Sequence, residues 1–352
     1  MAIDRRTFLT ATALGGVGLV AGCAQSDQQA PPTTPPAGIT TIADGLNVPW
    51  AMAFLAGGDA LVTQRDDAAI VRLSPAGQVT TIGDVAGVAP RGEGGLQGIA
   101  LAPGDESGVY VYYTTASDNR VARMDFDGRR LGPPQPLLTG LDTAPNHHGG
   151  ALLFDTAGSL FVAVGDAAQP DVAQDVRLLN GKILRIDRAG RPWPGNPFGN
   201  AVYSYGHRNV EGLAFDSAGR LWATEFGQNE RDELNLIVRG RNYGWPIHEG
   251  ESDDPAYVAP QVTWSTDEAS PAGLAIVGDT AYVAALRGRR LWTVPLRDGR
   301  AGSTSSRFDG ELGRLRAVEA APDGSLWIST SNTDGRGAPA ANDDRILRVP
   351  IG

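Results

Sequence analysis

Leu221-Trp222-Ala223-Thr224 is one of six copies of a strand pattern that decides the fold. In each copy, apolar residues alternate along a short segment and the second position holds an aromatic residue or Leu, which is typical of a β-strand. Counted at that second position, successive copies lie 45 to 61 residues apart. The other five copies are Ala60-Leu61-Val62-Thr63, Val109-Tyr110-Val111-Tyr112, Leu160-Phe161-Val162-Ala163, Ala281-Tyr282-Val283-Ala284 and Leu326-Trp327-Ile328-Ser329.

A second extended pattern follows every copy of the first. Its members also have a period of two residues, as strands do. They are Ala69-Ile70-Val71-Arg72-Leu73, Arg120-Val121-Ala122-Arg123-Met124, Lys182-Ile183-Leu184-Arg185-Ile186, Glu233-Leu234-Asn235-Leu236-Ile237, Arg290-Leu291-Trp292-Thr293-Val294 and Arg345-Ile346-Leu347-Arg348-Val349.

Six such units, with no convincing helical period anywhere, predict an all-β fold: a six-bladed β-propeller of four-stranded blades over residues 39–352. A two-domain β-sandwich is the alternative. Propellers bind ligands where the inner strands and their loops meet the axis. We take the first pattern as the inner strands and expect functional residues just before or after them.

Composition excludes several classes of protein. The chain has 40 acidic and 30 basic side chains, a net charge of −10, so it has no general basic surface for nucleic acid. It has one Cys, which excludes an intrachain disulfide and a Cys-based zinc site. Any metal is therefore expected to have oxygen ligands.

The first residues predict export and lipidation. Asp4-Arg5-Arg6-Thr7-Phe8-Leu9 contains a twin-arginine pair, and a short apolar run leads to Cys23. We interpret residues 1–22 as a twin-arginine lipoprotein signal peptide. Residues 23–38 are then the lipidated Cys23 and a flexible tether. The protein is expected outside the cytoplasm, anchored by lipid to the bacterial cell membrane.

Asn146-His147-His148-Gly149-Gly150 contains two of the four His residues. A tight Gly turn beside surface histidines is one interpretation. The functional one is that one imidazole points into the axial pocket as a base, since His titrates near neutral pH.

Three further polar clusters lie between apolar strands. Arg208-Asn209 could bind loop carbonyls or an anionic ligand, since Arg presents a planar fork to carboxylates. The acidic stretch from Glu225 to Asp254 suits calcium, although it could also be a solvated loop. Arg314-Leu315-Arg316 precedes the sixth inner strand, and its i, i+2 spacing should put both guanidinium groups on one face as an anion site.

Taken together, these clusters resemble the soluble PQQ-dependent glucose, sorbosone and aldose sugar dehydrogenase family. The resemblance runs from Leu46 to the final strand, and the order and spacing of the short strings make it specific. Besides the clusters above, it rests on Leu46-Asn47-Val48-Pro49-Trp50, Gly92-Glu93-Gly94-Gly95-Leu96-Gln97-Gly98-Ile99-Ala100, Val164-Gly165-Asp166, Gln174-Asp175, Gly181-Lys182, Asp232-Glu233-Leu234-Asn235, Asn242-Tyr243-Gly244-Trp245-Pro246 and Ser270-Pro271-Ala272-Gly273.

The resemblance implies PQQ-dependent oxidation of aldose sugars at C1, with PQQ and Ca²⁺ as cofactors. It makes His147 the general base and Arg208 the residue that polarises the PQQ carbonyl. The cofactor and sugar contacts that it implies are Glu93, Asp166, Asn209, Glu211, Arg287, Arg314 and Arg316. It assigns the calcium that chelates PQQ to the carbonyls of Gly227 and Gln228. A second, structural calcium would use Glu233, Tyr243 and Asp253.

The chain departs from the family pattern at four positions. Ala151 stands where Arg is usual, Glu211 where Gln is usual, Gln228 where Pro is usual and Arg287 where Lys is usual. The implied partners are a small sugar, an electron acceptor that is a quinone or a cytochrome, and the membrane, with no nucleic acid. Two other functions remain open: a redox-inactive propeller that binds a glycan or a protein partner at the cell surface, and a calcium-dependent hydrolase of the lactonase type.

Overall fold

The computed structural model describes residues 29–351, which form six β-sheets arranged around one axis. The all-β propeller expected from the six repeats is confirmed. One short 3-10 helix (Pro170–Gln174) lies in a loop. The segment predicted as a signal peptide (residues 1–22), the predicted lipidation site Cys23 and the first part of the predicted tether lie outside the described residues. No helix among the described residues is long and apolar enough to span a membrane.

Strand β1 (Thr40–Ala43) comes first in the chain but belongs to the last blade. Blade 1 contains β2 (Pro49–Phe54), β3 (Ala60–Gln64), β4 (Ala69–Leu73) and β5 (Val79–Asp84). Blade 2 contains β6 (Leu96–Ala102), β7 (Asp105–Thr114), β8 (Asn119–Asp125) and β9 (Gln135–Leu141). Blade 3 contains β10 (Gly149–Phe154), β11 (Leu160–Val164), β12 (Lys182–Ile186) and β13 (Val202–Tyr205).

Blade 4 contains β14 (Val210–Phe215), β15 (Leu221–Glu225), β16 (Asp232–Ile237) and β17 (Val262–Trp264). Blade 5 contains β18 (Pro271–Val277), β19 (Thr280–Ala285), β20 (Arg290–Arg297), β21 (Arg300–Ala301) and β22 (Ser305–Arg307). Its outer position is divided, because β21 and β22 both pair with β20. Blade 6 contains β23 (Leu315–Ala320), β24 (Leu326–Thr330) and β25 (Ile346–Val349).

The ring of blades is closed by hydrogen bonds between the two ends of the chain. Strand β1 pairs antiparallel with β25, so that Thr40 lies opposite Arg348 and Ala43 opposite Ile346. Blade 6 therefore obtains its outermost strand from the start of the domain. Closure removes the free sheet edges that an open ring would expose.

The expectation that the first repeated pattern forms the inner strands is wrong. Its copies are the second strands, β3, β7, β11, β15, β19 and β24, and a preceding strand of each blade lies nearer the axis. Leu315 and Arg316 accordingly lie within the innermost strand β23 rather than before it. The second strands are buried between neighbouring blades on both faces, which gives them the clear apolar signal. The innermost strands carry small and polar residues, so their apolar periodicity is weaker.

All six innermost strands begin at the same end of the propeller, which we call the mouth face. Each has a one-residue β-bulge immediately after its first residue. In β2, for example, Pro49 lies opposite Gln64 but Met52 lies opposite Val62. An advance of three residues along β2 therefore corresponds to only two residues along β3. A bulge changes the direction of side chains and is common next to active sites. The second residues of these strands are Trp50, Gln97, Gly150, Glu211, Ala272 and Arg316.

The third residue of each innermost strand is small in all six blades. These residues are Ala51, Gly98, Ala151, Gly212, Gly273 and Ala317. A Cβ atom built on Gly98 would lie 2.0 Å from the carbonyl oxygen of Gly150 in the next blade. The backbones of neighbouring blades therefore approach too closely here for a larger side chain.

We predict that Gly98→Ala destabilises the protein by about 1–3 kcal/mol, because the added methyl group would force apart β6 and β10. The control is Gly57→Ala, where a Cβ would have no atom within 4 Å. The measurement is denaturant unfolding of both variants. Equal free energies of unfolding would contradict the close packing inferred at the axis.

Candidate active site

His147 lies at the mouth face, two residues before β10, and its ring is oriented by Asp166. Its Nδ1 is 2.7 Å from Asp166 Oδ1. Asp166 is fully buried and also accepts hydrogen bonds from Trp245 Nε1 at 2.8 Å and from the backbone N–H of Ala168 at 2.8 Å. Because a carboxylate accepts, the His147 proton lies on Nδ1, and Nε2 keeps the lone pair that a base needs.

The backbone of His147 is in the left-handed region, with φ of 60°. That conformation costs a non-Gly residue about 1–2 kcal/mol, so its surroundings must hold it there. The His147 N–H donates to Glu93 Oε2 at 3.0 Å, and its carbonyl accepts the N–H of Ala167 at 3.2 Å. Such strain, held from both sides, is common at functional sites.

Arg208 lies near Asp166, the partner of His147. Its guanidinium carbon is 5.4 Å from the centre of the Trp245 ring, and its Nη1 donates to the carbonyl of Phe226 at 3.2 Å. Within residues 29–351 it forms no ion pair with a carboxylate, and its buried Nε has no hydrogen-bond partner. Burial lowers the pKa of Arg208, with Asp166 opposing this change. The group is thus a cation with unused donor capacity near the Asp166 carboxylate, which holds the His147 imidazole.

A chain of hydrogen bonds connects Asn209 to the axis. Asn209 Oδ1 accepts the N–H of Gly149 at 2.8 Å, and its Nδ2 donates to Glu211 Oε1 at 2.8 Å. Glu211 Oε2 forms an ion pair with Arg316 Nη1 at 2.6 Å, and Arg316 lies over the ring of Trp50. Burial raises the pKa of Glu211, and Arg316 opposes this. The extra acid at position 211 is therefore neutralised inside the protein.

Arg314 and Arg316 do not share one face, contrary to the expectation from their spacing. Arg316 faces the axial channel, whereas Arg314 lines a cavity of about 330 Å³ on the mouth face. Nε and Nη2 of Arg314 both contact Asp334 Oδ2, at 3.0 and 2.9 Å. The bulge after Leu315 interrupts the alternation on which the expectation relied. Arg287 lines the same cavity at its exposed rim, where it pairs with Asp267.

The residues expected at the first calcium form a loop next to Arg208. The N–H groups of residues 228–231 all point to one oxygen of Glu249, at 2.7 to 3.1 Å. No residue in the described part of the chain donates a hydrogen bond to the carbonyls of Gly227 or Gln228. Both carbonyls are therefore available to a hard cation.

The residues expected at the second calcium are only partly brought together. Glu233 and Tyr243 line a small cavity with Glu225 and Glu249, whereas Asp253 is exposed elsewhere in the loop. Burial, reinforced by Glu225, raises the pKa of Glu233 to about 8. The Tyr243 hydroxyl donates a hydrogen bond to the carbonyl of Leu236 at 2.7 Å. A metal would therefore be bound by the backbone carbonyl oxygen of Tyr243. Over residues 29–351, no three His, Asp or Glu side chains are grouped to hold a metal by themselves.

The second histidine of the His147-His148 pair has a structural place. His148 is buried, and its Nδ1 contacts Asn119 Oδ1 at 3.0 Å and Thr114 Oγ1 at 3.2 Å. Burial lowers its pKa to about 4, so it is neutral at pH 7. Of the two adjacent imidazoles, only that of His147 is paired with a carboxylate.

Arg336 is a further residue of this site that the sequence patterns alone did not single out. Its Nη1 is 2.6 Å from Glu93 Oε1, so a loop of blade 6 reaches across the mouth to the residue that holds the His147 backbone. Arg336 also lines the mouth cavity with Arg287 and Arg314. The polar stretch Asn332-Thr333-Asp334-Gly335-Arg336, between two apolar strands, has the same kind of signal as the clusters that the analysis did select.

Comparison with known proteins places this chain in a family. A sequence profile of the Glucose / Sorbosone dehydrogenase family matches residues 46–347. The chain belongs to the glucose/sorbosone dehydrogenase family. Within that family it is a sugar dehydrogenase, as the resemblance implied, and an oxidoreductase.

Individual relatives agree with this family over most of their length. The aldose sugar dehydrogenase YliI of Escherichia coli is 27% identical, covering 89% of this chain and 94% of that protein. The structure of the PQQ-bound aldose sugar dehydrogenase of Streptomyces coelicolor is 46% identical, covers 91% of this chain and all of that one, and has a TM-score of 0.86. A glucose dehydrogenase-type oxidoreductase of Thermus thermophilus is 39% identical, covers 88% of this chain and 99% of that one, and has a TM-score of 0.83. These relatives do not favour a redox-inactive propeller.

We predict that Arg336→Gln shifts the acid limb of sugar oxidation to higher pH. Burial raises the pKa of Glu93, but Arg336 and the His147 N–H outweigh it and hold that pKa below its usual value. Without Arg336, Glu93 protonates at higher pH and then accepts the His147 N–H more weakly, because a neutral carboxyl is a poorer acceptor than a carboxylate. The other charged or titratable groups near Glu93 are His147, His148, Arg208 and Glu211.

The measurement is kcat/KM against pH, with Arg336→Lys as the charge-preserving control. We expect the Lys variant to keep the acid limb close to that of the wild type. An unchanged profile in Arg336→Gln would show that the Arg336–Glu93 ion pair has no influence on the base.

Proposed function

We propose that the protein oxidises aldose sugars at C1 with PQQ as the hydride acceptor. The observation that carries the proposal is the pairing of an oriented base, His147 on Asp166, with an adjacent cation, Arg208, that has no carboxylate partner in the described residues. A bare propeller has no need of a strained His that a buried carboxylate holds in place. The Streptomyces coelicolor relative with PQQ supports the same cofactor here.

The residues of the pocket fit an anionic quinone. PQQ has three carboxylates, and Arg287, Arg314 and Arg336 line one cavity on the mouth face. Arg208 offers a buried Nε that has no partner among the described residues. Glu211, which would repel an anion if it were free, is paired with Arg316 and hydrogen-bonded by Asn209. The charge of the pocket is therefore compatible with an anionic cofactor despite the net charge of the chain.

His147 and Arg208 would act on different parts of the reaction. PQQ, when bound, supplies the electron-pair acceptor for the hydride from C1. His147 Nε2 would remove the proton of the sugar C1 hydroxyl, while Asp166 stabilises the imidazolium that forms, and general-base help of this kind is worth about 10²–10⁴ in rate. Arg208 would stabilise negative charge on the cofactor carbonyl oxygen, since a fixed cation in a partly buried site acts strongly.

Calcium is part of this proposal. The free carbonyls of Gly227 and Gln228 suit a calcium that binds the cofactor, in keeping with oxygen-only chemistry. The buried Glu233, with Glu225 and Glu249 around it and Tyr243 nearby, suits a second calcium that offsets their mutual repulsion. Asp253 stays a predicted ligand, and it would have to reach this cluster from its exposed loop.

The cellular setting is also a proposal. We infer that Cys23 carries a lipid after removal of residues 1–22 and anchors the protein outside the cytoplasm. The electron acceptor that reoxidises the cofactor is then a quinone or a cytochrome of the same compartment.

The proposed reaction is tested by dye reduction. Protein without residues 1–23, supplied with PQQ and Ca²⁺, should reduce a dye with aldoses. Asp166→Asn should lower kcat by about 10²–10⁴, because the amide no longer fixes the base tautomer of His147. The exposed Asp171→Asn, in the following loop, is the matched control and should keep wild-type activity. Absence of turnover with every aldose would refute the proposal, and full activity in Asp166→Asn would refute the assigned base.

Calcium removal gives an independent prediction. A chelator should lower both activity and Tm, and Ca²⁺ at about 100 times its Kd should restore about 2.7 kcal/mol of stability, because it binds only the folded protein. The measurement is thermal unfolding with and without Ca²⁺. Glu233→Gln should reduce the Ca²⁺-dependent increase in Tm. A Tm that does not change with Ca²⁺ would contradict both calcium sites.

A further inference from the structure

The residues just before the propeller are attached to its mouth face. Arg345 is fully buried, and its Nη1 donates to the carbonyls of Pro32 and Thr33 at 3.1 and 3.2 Å. Its Nε pairs at 2.8 Å with Asp343, whose side chain is also fully buried. Pro31 is buried as well. The end of the segment interpreted as a flexible tether is therefore docked, because a buried guanidinium needs these carbonyls as acceptors.

The docking point is connected to the cofactor pocket by hydrogen bonds. Asp343 Oδ2 accepts from Asn332 Nδ2 at 3.0 Å, and Asn332 Oδ1 accepts the backbone N–H of Arg314 at 2.8 Å. Arg345 immediately precedes β25, at the end of blade 6 that also carries Arg336. From Thr33 the chain passes to the opposite face, where Thr40 pairs with Arg348, and β1 then returns towards the mouth. Residues 31–33 therefore lie at the mouth face.

We propose that the lipid anchor holds the mouth face of the propeller towards the bilayer surface. This rests on the proposed lipidation of Cys23. Seven residues lie between Cys23 and Pro31, and the eight residue steps from one to the other span at most about 28 Å. A domain of this size is on the order of 40 Å or more across. A short tether that begins on one face therefore keeps that face near the membrane and the opposite face away from it.

Exposed apolar side chains do not decide the orientation by themselves. Ile247 and Leu178 are exposed on loops of the mouth face, but Val79 and Val238 are exposed at the opposite end. The attachment point of the tether makes the difference. Residues Ile247 and Val79, one on each face, provide a matched pair of positions for labels.

The experiment measures energy transfer from a dye on the lipidated full chain to acceptor lipids in vesicles of neutral phospholipid. Cys23 is the only cysteine, and its thiol is blocked by the lipid, so Ile247→Cys and Val79→Cys each introduce one reactive thiol. We expect higher transfer from the dye at position 247 than from the dye at position 79. Inserting about 20 flexible residues after Gln28 should reduce that difference, because the reach of the tether then exceeds the size of the domain.

Each outcome decides a separate point. Equal transfer from both positions on bound protein, or higher transfer from position 79, would overturn the orientation while leaving the anchor intact. Failure of the wild-type chain to bind vesicles would overturn the anchor and the orientation together. A Cys23→Ser variant should stay off the vesicles and keep its dye-reduction activity, which separates these results from the proposed chemistry.

Discussion

The structure depends on the close approach of six strands at one axis. Neighbouring innermost strands leave no room for a Cβ at Gly98, and all six blades carry Ala or Gly at that level. Each innermost strand also has a one-residue bulge at this level, and a bulge changes the direction in which the side chains point. Glu211 and Arg316 lie at two of these bulges and line the axial channel.

The charges at the axis are organised as pairs with one exception. Arg316 has Glu211, Arg314 has Asp334 and Arg336 has Glu93, so most of the guanidinium groups are already neutralised within the protein. Arg208 alone among the cations of this site has no carboxylate, in the part of the chain that the structure describes, and it stands beside the one imidazole that Asp166 orients. Ion pairs that surround a single unpaired cation leave unbalanced positive charge at one place, which suits the proposed hydride transfer.

Much of the fold and part of the site could be predicted from the sequence. The second strands of each blade are buried on both faces and the third strands mainly on one, so their apolar periodicity revealed six blades. Their strong signal also led to the wrong assignment of the inner strands, because Gly, Ala and single polar residues give innermost strands little periodicity. His147, Arg208, Asn209 and Glu211 were found because they occur in short polar clusters between strands. Arg336 was missed because its importance comes from a contact with Glu93, 243 residues away.

The sequence alone determined the number of blades, the chemical types available at the axis and the family to which the chain belongs. These properties depend on local patterns that recur or match along the chain. Only the tertiary structure decided which acid neutralises which guanidinium, which of two adjacent histidines pairs with a carboxylate, and on which face residues 31–33 dock. Those properties depend on contacts between blades that are far apart in sequence. The bulges in the innermost strands and the closure of the ring establish these contacts only when all six blades are in place.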